Sequence, residues 1–511
     1  MRRFIALCLV SLVVSAGLAP VVVADAPAVQ QDDAPPDPDS DVVGWEDGYW
    51  YNESIDVDQS DGLSDAELEA YVARSMARVE HLREREFKQS VPVSVISREA
   101  YQERSANQSK TNASFEAWNN QVWEGLFITG EQKNVQSELG STLGSAVAGF
   151  YSPKDDEIKI VTDDPDDAVI DNATLHHELV HAMQDQYYNL SSDTYTGKTQ
   201  DGDLAVSGVV EGEANYIESL YLDRCGGEWE CVETPRSGGS GIGNSDVNLG
   251  IFLVIFQPYS DGPPFVHELR QEGGWDAVDE RFANPPVSSE QVIHTTDEKP
   301  VPIDYTDRAR NGWSLFEEGQ NGSDTVGEAS LYAMFWYQDR LGTDGFEGFE
   351  WQEVTQSQGQ YDRYNYESTP TEGWANDRLF PYTKGSGDDA EYGYVWVLEW
   401  DTPQDAREFR STYLSMLRAN GAESQGPDVF VVEEGEFADA FRVTRQGTTV
   451  TVVNAPTTDD LTDVRPRSAQ ENPGTSTATA TSSAAAPGFG FLVTLGALAV
   501  ALVGVVRAAR R

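Results

Sequence analysis

Positive charge is what this sequence has least of. Its 511 residues carry 35 Lys+Arg against 86 Asp+Glu, a formal charge of −51, and only eight of the bases are lysines. Such a surface repels phosphates, which excludes a sequence-independent nucleic-acid binder. The same deficit excludes docking on an anionic membrane through a basic patch. The glycine-rich run 238–244 lacks the lysine of a phosphate-binding loop and has no nucleotide role. Cysteines number three and histidines six, and the chain shows no internal repeat. Apolar residues are not short: 39% of the chain is hydrophobic and 10% aromatic, too much for an acidic disordered chain. The composition is that of a folded protein with an acidic surface, as in proteins adapted to molar salt. An acidic protein working at ordinary salt is the plainer alternative.

Both ends read as targeting segments. Arg2 and Arg3 precede the apolar run 4–23, and the small residues Ala24, Ala26 and Ala28 follow, so 1–24 is expected to be a signal peptide that carries Cys8 away. The arginine pair leaves general and twin-arginine export both open. Residues 489–506 form an apolar stretch just long enough to span a bilayer, and Arg507, Arg510 and Arg511 behind it belong on the cytoplasmic side. This predicts an exported, membrane-anchored protein with its ectodomain outside. Cys225 and Cys231, an even pair in an oxidising compartment, read as a small disulfide loop. Six Asn-x-Ser/Thr sequons, at Asn52, Asn107, Asn112, Asn172, Asn189 and Asn321, are compatible with a glycoprotein.

Between the ends, 25–62 is acidic and proline-rich, with no base from Arg3 to Arg74, and is expected to be flexible. A main domain is expected over 63–345, a small α+β module over 346–455 and a Ser/Thr-rich stalk over 456–486. The capping box Ser64-Asp65-Ala66-Glu67 opens a helix to about 87. A strand at 91–96, a helix at 114–128 and two short strands at 146–151 and 158–161 follow. Further helices are expected near 172–188, 203–223, 265–271 and 326–341. The module reads as strand 392–400, helix 403–418 and strands near 439–444 and 449–453. The fold class is therefore α+β.

The chemistry-bearing residues lie in the helix over 172–188. Leu175, Leu179, Ala182 and Met183 make its apolar stripe, while His177, His181, Gln184 and Tyr188 line another face. Two imidazoles one turn apart can reach one zinc ion, and Glu178 between them can take a proton from water. With six histidines in the chain, H-E-x-x-H arises by chance on the order of 0.01 times. A third ligand is expected from the next helix, at Glu211, with Glu213 as the fallback. Asn215, one turn after Glu211, is placed to accept a hydrogen bond from the ring N–H of His177. A pocket using both Glu211 and Glu213 would favour a peptide N-terminal amine. His176 reads as a core histidine, and Asp185 either braces His181 or is simply hydrated.

His177-Glu178-x-x-His181 followed by Glu211-Gly212-x-Ala214 resembles the gluzincin metallopeptidases. Residues 177–186 (HELVHAMQDQ), Ala148-Gly149-Phe150-Tyr151 and 286–294 (PVSSEQVIH) resemble an uncharacterised family of surface-anchored, metallopeptidase-like proteins of halophilic archaea and bacterial relatives, a likeness covering most of 60–455. Pro487-Gly488-Phe489 resembles the sorting signal of halophilic archaeal surface proteins, with a eukaryotic GPI signal as its rival. These resemblances imply a zincin-like fold, one bound zinc ion held by His177, His181 and Glu211, and hydrolysis of a protein or peptide. They imply a strand near 158–161 as the sheet edge that pairs with the peptide. His294 is the implied oxyanion stabiliser, with Tyr188 and Tyr216 competing. An archaeosortase-type enzyme is the implied processing partner, and the C-terminal helix or an attached lipid the anchor. A zincin-fold surface protein that binds without cleaving is the alternative.

Overall fold

A computed structural model describes residues 35–467, apart from 109–111, 145–146, 166–167, 235–246, 342–344 and 358. The expected signal peptide, most of the stalk, the Pro487-Gly488-Phe489 tripeptide and the 489–506 stretch lie outside the described residues. Among those described, no helix is long and apolar enough to cross a membrane.

The chain begins with a two-strand ribbon, β1 (Trp45–Glu46) and β2 (Tyr49–Trp50), and the helix α1 (Asp65–Arg83). Ser64 closes the expected capping box: its hydroxyl accepts from Glu67 N–H, and the Glu67 carboxylate accepts from Ser64 N–H. Then come β3 (Val93–Ser97), α2 (Arg98–Gln108), α3 (Ala113–Gly125), α4 (Val135–Gly144), β4 (Gly149–Ser152) and β5 (Glu157–Thr162). Strands β3, β5 and β4 form one small sheet in that spatial order, with β3 parallel and β4 antiparallel to β5. This corrects one expectation. The strand over 158–161 is central, hydrogen-bonded on both sides, and cannot accept a peptide; the sheet's two edges are β3 and β4.

Four helices follow: α5 (Asn172–Tyr188), α6 (Gln200–Leu222), α7 (Leu249–Ala283) and α8 (Ser289–Ile293). They share a core with α1 and the small sheet, into which Leu175, Leu179, Ala182 and Met183 insert as the stripe predicted. The sequence pointed only to 265–271 of α7. Pro258, Pro263 and Pro264 interrupt its helical pattern, and a break at Gly273–Gly274 divides its far end. α6 and α7 approach at backbone contact: a Cβ on Gly212 would lie 2.6 Å from the Gly262 carbonyl carbon and oxygen. Gly212 stands beside Glu211 because nothing larger fits that crossing. Gly212→Ala should therefore lose about 1–3 kcal/mol to overpacking, partly offset by about 1 kcal/mol of helix propensity. Denaturant melts showing no loss would mean that the crossing is looser than this.

The remaining elements are β6 (Trp313–Leu315), α9 (Gly327–Arg340), β7 (Trp374–Lys384), β8 (Glu391–Trp400), α10 (Asp405–Ala419), β9 (Glu423–Ser424), β10 (Val429–Val431), β11 (Ala440–Gln446), β12 (Thr449–Ala455) and α11 (Asp460–Val464). Their strands make one antiparallel sheet ordered β6-β7-β8-β12-β11-β10-β9. Trp396, Leu398 and Val452 pack on one face with α3, α9 and α10, and Phe380, Val395 and Val453 on the other with α11. The architecture is mixed α+β. Packing does not divide at 345/346, where the module was expected to begin, because β6, α3 and α9 all serve the later sheet.

Candidate metal site

Two caps fix the ends of α5. Asp171 accepts from Thr174 N–H at 3.1 Å, and Asn189 ends the helix in the left-handed region, φ 57°. Inside, the i, i+4 spacing stacks His177 above His181, both buried. Helix α6 lies against α5 and presents Glu211 to them. His177 Nε2 and His181 Nε2 are 3.0 Å apart, and Glu211 Oε2 is 3.2 Å from the first and 3.4 Å from the second. One ligand atom from each residue thus lies within 4.8 Å of the other two, and this trio could hold a metal ion.

The bracing around the trio favours that use. His177 Nδ1 faces Glu218 Oε2 at 3.2 Å, and His181 Nδ1 faces Gln184 Oε1 at 2.8 Å. Both partners are acceptors, so both Nδ1 atoms carry the proton and both Nε2 lone pairs point at the centre. Two lone pairs and a carboxylate oxygen in mutual contact need a cation or protons between them. The electrostatics agree. Burial alone would lower His177, but Glu211 and Glu218 hold it up at about 10. Burial alone would raise Glu211, but the charges of His181 and His177 hold it at about 2. A divalent cation replaces those protons with one doubly charged ion at the same point, and the N, N, O donor set suits one.

One bracing expectation and the fallback ligand are corrected. Asn215 does not accept from His177; its amide donates to Glu211 O of its own helix at 2.9 Å. At 100° per residue, position 215 lies about 40° from Glu211 around the helix and position 218 only about 20°. Glu218, seven residues on, is therefore the one that reaches the imidazole, and that spacing is the signal that would have found it. Glu218→Gln should weaken metal affinity about 10–100-fold, read by competition against a chromophoric chelator; unchanged affinity would remove Glu218 from the site. Glu213, the fallback ligand, is engaged elsewhere. Its Oε2 accepts from Gln184 Nε2 at 2.9 Å and its Oε1 pairs with buried Arg83. It therefore does not line a pocket for a peptide amine.

Glu178 is buried at the start of the same turn, and its Oε2 accepts from Tyr151 N–H of the edge strand β4 at 2.7 Å. Asp185 braces the chain rather than His181, accepting from Leu190 N–H at 2.7 Å and Tyr151 Oη–H at 2.9 Å. His176 is a core residue as expected, with Nδ1 2.8 Å from Asn172 O and its ring stacked on Tyr221. His294 Nε2 lies 2.9 Å from the buried Glu328 carboxylate, which with Glu367 and Glu290 overrides burial and holds the imidazole up at about 9. Tyr188 Oη donates to Asp279 at 2.6 Å, and Tyr216 Oη is 3.0 Å from His267 Nδ1, so both phenols are committed away from the trio. A tyrosine the sequence did not single out, Tyr259 of α7, lies nearly parallel to the His177 ring, with centroids 6.4 Å apart. It sits in the proline-interrupted part of α7, where no periodicity pointed to a face.

Cys225 and Cys231 form the expected disulfide, Cα–Cα 5.4 Å, closing the loop after α6. Residues 314–465, from β6 to α11, match a family model described as a domain of unknown function (DUF8575). The matched span covers the seven-stranded sheet and excludes His177, Glu178, His181 and Glu211. No curated protein and no solved structure matches the chain.

Proposed function

We propose that this protein is an exported zinc metallopeptidase of zincin-like fold. The observation that carries the proposal is the convergence of His177 Nε2, His181 Nε2 and Glu211 Oε2 within 4.8 Å, with Glu178 adjacent on the same helix. Two imidazoles and one carboxylate are a ligand set of catalytic zinc, and His177, His181 and Glu211 would hold the ion. The ion, when bound, supplies the positive charge that polarises a scissile carbonyl and acidifies water. Glu178 takes the proton of the attacking water and returns it to the leaving amine. The Tyr151 N–H bond holds the Glu178 carboxylate in place, so β4 and the base share one anchor. An extended peptide would pair with the outward edge of β4 on either side of Tyr151, whose own N–H Glu178 already takes. His294, kept cationic by Glu328, is the candidate donor to the developing oxyanion, with Tyr259, whose ring centroid lies 6.4 Å from that of His177, as its competitor.

The disulfide supports an oxidising compartment. Together with the expected signal peptide, stalk and sorting tripeptide, it favours a surface protein anchored after processing by an archaeosortase-type enzyme. The test is metal analysis of the purified protein in molar KCl. About one zinc per chain is expected, with peptide-library cleavage that stops on chelation and returns with zinc. No bound zinc, even when zinc is offered, would sink the reading. Zinc without cleavage of any peptide would leave a zincin-fold surface protein that binds and does not cut.

A further inference from the structure

A second cluster of ligand-type atoms lies far along the chain from the histidines and has no part in the peptidase reading. Glu124 lies in the last turn of α3, Glu131 lies in the loop that follows, and Asp439 stands immediately before β11; one carboxylate oxygen of each lies within 4.8 Å of the other two. Glu124 and Asp439 are buried, and Glu131 opens to solvent. No described arginine or lysine is ion-paired with any of the three. Burial pushes Glu124 well above the ordinary carboxylate range, and Asp439 and Glu131 raise it further. Burial and Glu131 push Asp439 up to about 8.

Like charges alone do not make a site, but two buried amides point to one. Gln121, one turn before Glu124, donates Nε2–H to Glu124 Oε2 at 2.6 Å, and its Oε1 is buried without a hydrogen-bond partner. Asn454 of β12 donates Nδ2–H to Asp439 Oδ2 at 2.8 Å, and its Oδ1 is likewise buried without a partner. Gln121 is 5% exposed and Asn454 0%. A carboxamide holds its oxygen about 2.2 Å from its nitrogen, so each orphan oxygen lies at most about 5 Å from a cluster carboxylate. Turning either amide over does not help, because its NH₂ would then be the orphan. Protonating the carboxylates relieves their repulsion but leaves one end of each amide unsatisfied, a cost that buried polar groups normally avoid.

We propose that Glu124, Glu131, Asp439, Gln121 and Asn454 form a calcium site. Oxygens bound at about 2.4 Å to one ion lie at most about 4.8 Å apart, which the carboxylates already satisfy. Five oxygen-bearing side chains with no nitrogen or sulfur donor select a hard cation, and calcium takes six to eight oxygens in irregular geometry. Exposed Glu131 gives the ion a route in and leaves room for water to complete the shell. The bound ion would tie α3 and the loop behind it to β11 and β12. The chain already makes contact there through Glu131 N–H to Glu436 O at 3.1 Å and the close packing of Gly130 on Glu436.

The test uses the full-length protein in molar KCl, treated with chelator, resupplied with zinc and titrated with CaCl₂ by calorimetry and thermal melting. One calcium per chain is expected, with Kd on the order of 10⁻⁴ M. At a hundredfold excess over Kd the midpoint should rise by about 3 °C. Asp439→Asn should abolish the response and leave zinc content unchanged, which separates this site from the histidine trio. Should that variant fail to fold, Gln121→Leu keeps all three carboxylates and should weaken calcium about tenfold. No calcium response in the wild type, or an equal response in either variant, overturns the proposal and leaves a cluster of acids that holds no ion. Equal stabilisation by MgCl₂ at the same concentration overturns the assignment to calcium.

Discussion

Glu178→Gln is expected to lower kcat about 10²–10⁴-fold while leaving one metal ion per chain. The amide is nearly isosteric and keeps an oxygen to accept Tyr151 N–H, so the edge strand stays docked on α5. What it loses is the ability to take a proton from water. Glu178 contributes no ligand atom to the trio of His177, His181 and Glu211, so metal content and melting temperature should barely move. A thousandfold loss corresponds to about 4 kcal/mol of transition-state stabilisation, well beyond what a packing adjustment gives without a change in melting. The comparison therefore isolates chemistry from structure. Equal cleavage by the two proteins would take Glu178 out of the mechanism. No cleavage by either, with zinc bound, would identify a binder.

The trio was legible in the sequence for a geometric reason. An i, i+4 pair of histidines has only one face to share, and the following helix has to supply whatever completes the set. The capping box at Ser64 and the stripe Leu175, Leu179, Ala182, Met183 were legible because they are local, fixed by helix period alone. What escaped was set by neighbours. α7 is a helix through three prolines because α6 covers it closely enough to hold the backbone in place. Strand β7 was given no element in the sequence, and it carries Asn376, Asp377 and Pro381, residue types that disfavour a strand. Pro381 is tolerated because its missing N–H faces only the end of the short β6, while its C=O still accepts from Phe316 N–H at 3.3 Å. The order of the small sheet, and with it the edge strand, is a pairing fact that periodicity does not carry. Glu218 was hidden in plain composition, one more acid among 86, whereas Gln184 was placed on the histidine face without a role.

Arg83→Met should destabilise the fold by about 3–5 kcal/mol, the largest loss expected of a single side chain away from the metal ligands. Arg83 is 3% exposed on α1 and pairs with Glu213 of α6 and Asp279 of α7, with its guanidinium 4.3 Å from the centre of the Trp275 ring. Burial would lower its pKa, but Glu213, Tyr188 and Asp279 override that and hold it above its ordinary value, so the cation is fixed at every accessible pH. Methionine fills much of the volume and leaves the Glu213 carboxylate, 1% exposed, with Gln184 as its remaining partner. An unpaired buried charge is the costly outcome, not the loss of the pair itself. Arg83→Met/Glu213→Gln should accordingly recover at least half of the deficit, since a glutamine oxygen can still accept from Gln184. The network also runs to the site: Glu213 holds Gln184, and Gln184 holds Nδ1 of His181. The single variant should bind metal more weakly, and the double variant should regain much of that affinity along with stability. Equilibrium melts and chelator competition on both proteins read the two effects together. A single variant that costs under about 1 kcal/mol, the range of an exposed pair, would mean that water reaches Arg83 and screens it.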